Sequence, residues 1–117
     1  MRVSQTGRVT LDDGPRISGY RPCADVTLET VAEYAGPMAV GVAMTGMGSD
    51  SVRGAQAIRA AGGYVIAQDE SSSVIFGMNA EVIKAGAADQ VASLDAIYAA
   101  VEKRYLLVMG NMKVGAV

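Results

Sequence analysis

Residues 38–50 read MAVGVAMTGMGSD and constrain the fold more than any other stretch. Seven apolar or small residues, 38–44, run directly into Thr45-Gly46-Met47-Gly48-Ser49-Asp50, and a helical pattern begins immediately after. A run of this length without alternation predicts a strand buried on both faces, as in a parallel sheet. The glycines predict a tight turn and the following period a helix. In an open α/β sheet, the carboxyl end of a strand is where ligands and reactive groups collect. Asp50 is the charged side chain placed there.

The flanking segments extend this pattern. Residues 2–5 and 8–11 predict two short strands around Thr6-Gly7, a hairpin. Asp12-Asp13-Gly14-Pro15 reads as a turn and the stretch to Pro22 as an irregular loop. Residues 25–35 predict a helix with Leu28, Val31, Ala32 and Ala35 on one face, Asp25 as its N-cap and Gly36-Pro37 as its stop. Residues 51–61 predict the next helix, with Val52, Ala55 and Ile58 inward and Gly54 allowing close packing on the sheet. Residues 64–67 then form a second buried strand, so that 44–64 is a βαβ crossover between parallel strands. Residues 79–84 predict a short helix capped by Asn79, and residues 89–92 an edge strand. Ser93 introduces a last helix over 94–105, with Leu94, Ile97, Tyr98, Val101 and Tyr105 as its stripe. Residues 107–117 show no period and are expected to be loosely ordered.

Composition narrows the functional classes. At 117 residues the chain suits one domain. Ten basic and twelve acidic residues argue against a nucleic-acid surface, which needs clustered Lys and Arg. The single cysteine, Cys23, cannot pair internally, which fits a reducing compartment. No signal peptide is expected and no apolar run reaches the ~20 residues of a spanning helix, so the expectation is a cytoplasmic protein without membrane insertion. There is no histidine. A mechanism that uses an imidazole base therefore needs a group from outside these 117 residues.

Read from the residues alone, Asp50 has two roles open to it. It is the N-cap of the helix starting at Ser51, its carboxylate facing the positive helix end. It is also placed to orient an imidazole, as the acid of a Ser–His–Asp set does. Gly46 and Gly48 let the turn approach a ligand, and backbone amides at Gly46, Met47 and Gly48 are candidate oxyanion donors. The same turn is a weak phosphate-cradle candidate, because the third glycine of G-x-G-x-x-G is replaced by Ser51. Cys23 reads as a structural thiol, Ser71, Ser72 and Ser73 as loop and cap hydroxyls, and Asp69 and Glu70 as solvated. Gln68 and Phe76 are candidate cleft-lining residues, and the seven methionines read as gap-fillers in the core.

Residues 40–78, VGVAMTGMGSDSVRGAQAIRAAGGYVIAQDESSSVIFGM, resemble the C-terminal half of the catalytic domain of the CheB family of protein-glutamate methylesterases. The resemblance rests on Thr45-Gly46-Met47-Gly48-Ser49-Asp50, Ala61-Gly62-Gly63, Ala67-Gln68-Asp69-Glu70 and Ser72-Ser73-Val74-Ile75-Phe76-Gly77-Met78. Leu11-Asp12-Asp13-Gly14-Pro15, Arg21-Pro22 with Asp25-Val26, and Gly86-Ala87-Ala88-Asp89 extend it over about residues 1–97. Ser51, Tyr20, Cys23 and Asn79 depart from the family pattern, where Gly, His, Ser and Pro are common.

The resemblance implies a three-layer α/β fold with a mainly parallel sheet, flanking helices and an N-terminal β-hairpin. It implies residues 1–106 as the C-terminal portion of the domain and 107–117 as a tail. The family hydrolyses methyl esters of receptor glutamates, and often deamidates glutamines, with a Ser–His–Asp triad. Its Asp corresponds to Asp50, and the backbone around Met47 lies beside that site. No cofactor and no metal are implied, and the implied partner is a methyl-accepting chemotaxis receptor. The family's Ser and His come from segments N-terminal to these residues, as does the receiver domain of many members. The chain alone is accordingly expected to be inactive. Two other readings stand beside this one: a non-catalytic interaction module that self-assembles through an open sheet edge, and a small-molecule binder at the glycine turn.

Overall fold

The computed structural model describes residues 1–11 and 23–115, with side chains described through residue 110. The turn and loop expected between Asp12 and Pro22 lie outside the described residues. The chain opens with an antiparallel pair, β1 (Arg2–Val3) and β2 (Val9–Thr10), in the register Arg2 with Thr10 and Val3 with Val9. Gly7 turns the hairpin at φ 80°. Helix α1 (Ala24–Ala35) holds this hairpin: Thr27 donates its hydroxyl to the Met1 carbonyl, and Thr30 accepts the Val3 amide at 2.9 Å.

Three parallel strands follow, β3 (Val40–Ala43), β4 (Tyr64–Gln68) and β5 (Gln90–Ala92), in the order β3-β4-β5. Val40 pairs with Tyr64 and Ile66 with Gln90. Helix α2 (Val52–Ala60) makes the β3–β4 crossover, and α3 (Met78–Lys84) precedes β5. On one side of the sheet, Ala32, Ala43, Ala55, Ile58, Val65 and Val82 form a core of small and β-branched residues under α1, α2 and α3. On the other side, Ile66 and Ala92 pack against Ile97 and Ala100 of α4 (Leu94–Gly115). Helices thus flank a mainly parallel sheet on both faces, behind an N-terminal hairpin: the expected three-layer α/β class.

Several local expectations are corrected. Asp25 lies inside the first turn of α1, whose N-cap position is Cys23. Gly54 gives close approach between α1 and α2 rather than onto the sheet, since a Cβ there would sit 2.5 Å from the Leu28 Cβ. Asn79 lies within α3, whose N-cap position is Gly77. β3 is shorter than expected and one-sided: Val42 is 39 % exposed, because α4 packs across β4 and β5. Central β4 is the strand buried on both faces. Helix α4 continues to Gly115, past the end expected at Tyr105, so 107–115 is helical. Its stripe splits, Ile97 and Val101 facing the sheet while Leu94, Tyr98 and Tyr105 are exposed. Met38, Met44 and Met47 are exposed rather than gap-filling. Among the described residues no helix is long and apolar enough to cross a membrane.

Candidate active site at the carboxyl end of β3

Asp50 follows β3 through the turn Met44-Thr45-Gly46-Met47-Gly48-Ser49. The expectation that it caps α2 is not met. Its Oδ1 accepts the Asp25 amide at 3.1 Å and the Cys23 thiol at 3.2 Å, and its Oδ2 accepts the Ala24 amide at 2.9 Å. Asp50 therefore caps α1, a helix that lies far back in the chain. The Asp25 carboxylate in turn accepts the Gly54 amide of α2 at 2.7 Å. Each carboxylate serves orphan amides at the positive end of the other's helix. Ser51, between Asp50 and α2, has φ 134°, which turns the Asp50 side chain away from its own helix.

The cluster formed is buried and polar. Asp50 is 9 % exposed, and Cys23 and Asp25 are also buried. Burial pushes the Cys23 thiol up from its ordinary range, and its hydrogen bond to Asp50 pushes the same way. Donor atoms of Cys23, Asp25 and Asp50 lie within 4.8 Å of one another, near enough for a cation. The three hydrogen bonds into Asp50, however, already supply the positive partners that a metal would. On the far side of Asp25 a groove of about 630 Å³ runs between α2 and α3, lined by Ser49, Arg53, Gln56, Glu81 and Lys84. Its charges are of mixed sign. Arg53 pairs with Glu29, which raises the guanidinium pKa further, and Lys84 pairs with Glu81.

The turn before Asp50 is held by the second long motif. Gly46 forms a parallel bridge with Phe76: its amide donates to the Ile75 carbonyl at 3.0 Å and its carbonyl accepts the Met78 amide at 2.9 Å. Thr45 Oγ1 both donates to the Ile75 carbonyl and accepts the Ile75 amide. Gly77 must lack a side chain here, because a Cβ would stand 2.2 Å from the Gly46 carbonyl oxygen. Gln68 ties the same turn to β4. Its Oε1 accepts the Thr45 amide at 3.0 Å, and its Nε2 donates to the Ser72 carbonyl and hydroxyl. Gln68 is thus fully buried scaffolding rather than cleft lining. Ser72 also takes the first amide of α4, from Leu94, and gives its hydroxyl to Asp69. Asp69, read as solvated, accepts both the Ser72 amide and hydroxyl, which hold its carboxyl below the usual range.

This geometry sorts the three candidate oxyanion donors. The Gly46 amide is committed to Ile75, so neither an oxyanion nor a phosphate is offered it. Among the described residues the Met47 and Gly48 amides have no hydrogen-bond partner, and the Met47 side chain is 75 % exposed beside them. Gly48 has φ 93°. The sequence reading named Gln68 as cleft lining, Asn79 as a helix cap and Gly77 only as part of a motif, and so missed their work in holding the turn: the buried Asn79 side-chain amide donates to the Gln68 carbonyl and the Ser73 hydroxyl. A glutamine closing an apolar strand was the available signal, since a polar group there must find partners.

The CheB methylesterase family model matches residues 1–101. The chain is 51% identical over 87 residues to a protein-glutamate methylesterase/protein-glutamine glutaminase of Rhodospirillum rubrum, covering 74% of this chain and 24% of that protein. It is 48% identical over 98 residues to the protein-glutamate methylesterase FrzG of Myxococcus xanthus, covering 84% and 29%. Among solved structures, the CheB methylesterase catalytic domain of Thermotoga maritima matches with a TM-score of 0.74 and 38% identity, over 82% of this chain and 49% of that one. The chain spans under a third of these curated relatives and about half of the solved domain. On the match across 1–101 and on the shared fold, this chain belongs to the CheB methylesterase family.

Proposed function

We propose that these residues supply the acid and the oxyanion turn of a protein-glutamate methylesterase site, with serine and histidine coming from outside the 117 residues. The observation that carries this reading is the state of Asp50. Among the described residues three donors occupy three of the carboxylate's roughly four acceptor positions, which leaves one on Oδ2. An imidazole Nδ1–H is the fourth donor that this reading assigns to it. Held so, the imidazole takes the proton of a serine hydroxyl as its oxygen attacks the glutamate ester carbonyl. Asp50 stabilises the imidazolium without becoming protonated. The Met47 and Gly48 amides face the developing oxyanion. The imidazolium proton leaves with methanol, and a water molecule repeats the sequence to release the carboxylate. A glutamine side chain treated in the same way releases ammonia. No cofactor enters this chemistry. The substrate side chain is carried by a chemotaxis receptor, which makes the assembled site that of a cytoplasmic signalling enzyme.

The test is a chimera in which this chain replaces the matching segment of the Rhodospirillum rubrum relative. The chimera should hydrolyse a receptor methyl ester, and Asp50→Asn should lower its turnover by about 10⁴-fold, the scale set by loss of a triad acid. An Asp50→Asn chimera with undiminished turnover would overturn the assignment. Ester hydrolysis by the 117-residue chain alone, lost in Asp50→Asn, would overturn the claim that serine and histidine lie elsewhere.

A second reading, self-assembly through the sheet edge, is favoured by one observation: Val42 on edge strand β3 and Met44 just after it are exposed. It predicts a dimer or larger by light scattering, which Val42→Lys should dissociate. A compact monomer at high concentration counts against it.

A further inference from the structure

We propose that Asp25 is a positioning residue for Asp50. This rests on the reading of Asp50 as the acid, and it goes beyond that reading by naming what aims the carboxylate. Among the described residues, every donor that holds Asp50 belongs to the start of α1: the Cys23 thiol and the Ala24 and Asp25 amides. Asp50 itself precedes α2. Its orientation therefore depends on the N-termini of α1 and α2 keeping one fixed relation. Asp25 is the side chain that ties them. Its carboxylate leaves its own helix and accepts the Gly54 amide at 2.7 Å, while its amide is given to Asp50. Both links are buried. The reach requires the helices to touch, and they do so where Gly54 meets Leu28 without a Cβ between them. Removing the Asp25 carboxylate leaves the Gly54 amide orphaned and the α1 terminus free to swing, with the Asp50 donors moving as a group. The other charged groups alongside are Arg53 of α2 and its partner Glu29 of α1, whose pairing is exposed and bridges the same two helices further along.

Cys23 makes this readable, because it is the only thiol in the chain and it is buried against Asp50. The experiment uses the whole 117-residue chain. It follows the rate at which an aromatic disulfide reagent modifies Cys23, at zero and low urea, together with the carbon-13 signal of the Asp50 carboxyl. In Asp25→Ala, Cys23 should react at least about ten-fold faster, at a rate nearly independent of low urea, as expected when one charged hydrogen bond is lost and the opening is local. The Asp50 carboxyl signal should move with it. Asp25→Asn retains an oxygen that accepts from Gly54 and should stay within about two-fold of the parent. Asp25→Ser, polar but too short to reach Gly54, should behave as Asp25→Ala and serves in its place if the alanine variant is too unstable to study. Unchanged labelling with an unmoved Asp50 signal in the truncated variants overturns the proposal. So does labelling that rises only in step with global unfolding, or an asparagine variant no better than alanine. Turnover of the chimera answers for Asp50, whereas the thiol and carboxyl signals answer for Asp25, so the two readings fail separately.

Discussion

Asp50 and Asp25 cap each other's helices. The Asp50 carboxylate takes the Ala24 and Asp25 amides that open α1, and the Asp25 carboxylate takes the Gly54 amide in the first turn of α2. Two negative groups thereby sit at two positive helix ends, each held by the neighbour rather than by its own helix. The arrangement makes the site and the α1–α2 junction a single structural unit, and its consequences can be measured.

Asp50→Ala should destabilise the chain by about 2 kcal/mol, the scale for losing charge-assisted hydrogen bonds at a helix cap. The Ala24 and Asp25 amides lose their acceptor in a buried place. Asp50→Asn retains one acceptor oxygen and should cost less. Urea unfolding of the two variants checks the order, and equal losses would show that the charge rather than the hydrogen bonds matters.

Ser51→Gly should stabilise the chain. Ser51 is the non-glycine residue at positive φ among those described, and its buried hydroxyl has no partner. Relief of such strain is worth about 1–3 kcal/mol, offset by the added flexibility of glycine in the unfolded chain. The expected net gain is about 1 kcal/mol, or a rise in Tm of several degrees. Ser51→Ala removes the orphaned hydroxyl but keeps the backbone strain, so a calorimetric comparison separates the two contributions. A lower Tm for Ser51→Gly would contradict the account.

Gly77→Ala should be damaging out of proportion to one methyl group. The added Cβ would meet the Gly46 carbonyl oxygen at 2.2 Å and the Met47 Cα at 3.1 Å, both backbone atoms that no rotamer change can move. A loss of about 1–3 kcal/mol is expected. Hydrogen exchange should report it first at the Gly46 and Met78 amides, which close the bridge between the two loops.

Stability should fall towards both pH extremes for identifiable reasons. The Asp69 carboxyl is lowered below its ordinary value by the Ser72 hydroxyl and amide. A lowered acid contributes stability above its unfolded pKa and loses it as pH falls through the folded one. Asp69→Ala should therefore flatten the acid limb of a stability–pH curve. The Cys23 thiol is raised by burial and then by Asp50. A raised thiol contributes stability below its unfolded pKa and loses it as pH climbs through the folded one. Cys23→Ser should flatten the alkaline limb, and thermal melts across pH check both signs.

Much of the architecture was legible because it is written in short-range patterns. The apolar run before Thr45, the helical period after Asp50 and the Gly62-Gly63 stop together specify the β3–α2–β4 crossover. Failures occurred where a local rule met a distant competitor. Asp25 and Asn79 look like caps by position, yet tertiary partners claimed both side chains, Gly54 for one and Gln68 with Ser73 for the other. The stripe on α4 was also misread in part. Leu94, Tyr98 and Tyr105 share a period with Ile97 and Val101, but the narrow sheet covers only part of that face.

The parallel α/β class, the glycine turn after β3 and the family are all readable from the residues, through Thr45-Gly46-Met47-Gly48-Ser49-Asp50 and the motif ending Phe76-Gly77-Met78. They single out Asp50 and leave its partners open. That Asp50 caps α1, that the Gly46 amide goes to Ile75 while those of Met47 and Gly48 do not, and that Gly77 is glycine for the sake of Gly46 emerge only once the chain is folded. The difference is one of range. Helix periods and turn preferences act over a few residues, whereas the acceptor that satisfies a buried amide is whichever group packing brings within about 3 Å. Residues 25 positions apart in the chain, as Asp25 and Asp50 are, meet only after the sheet and helices have formed.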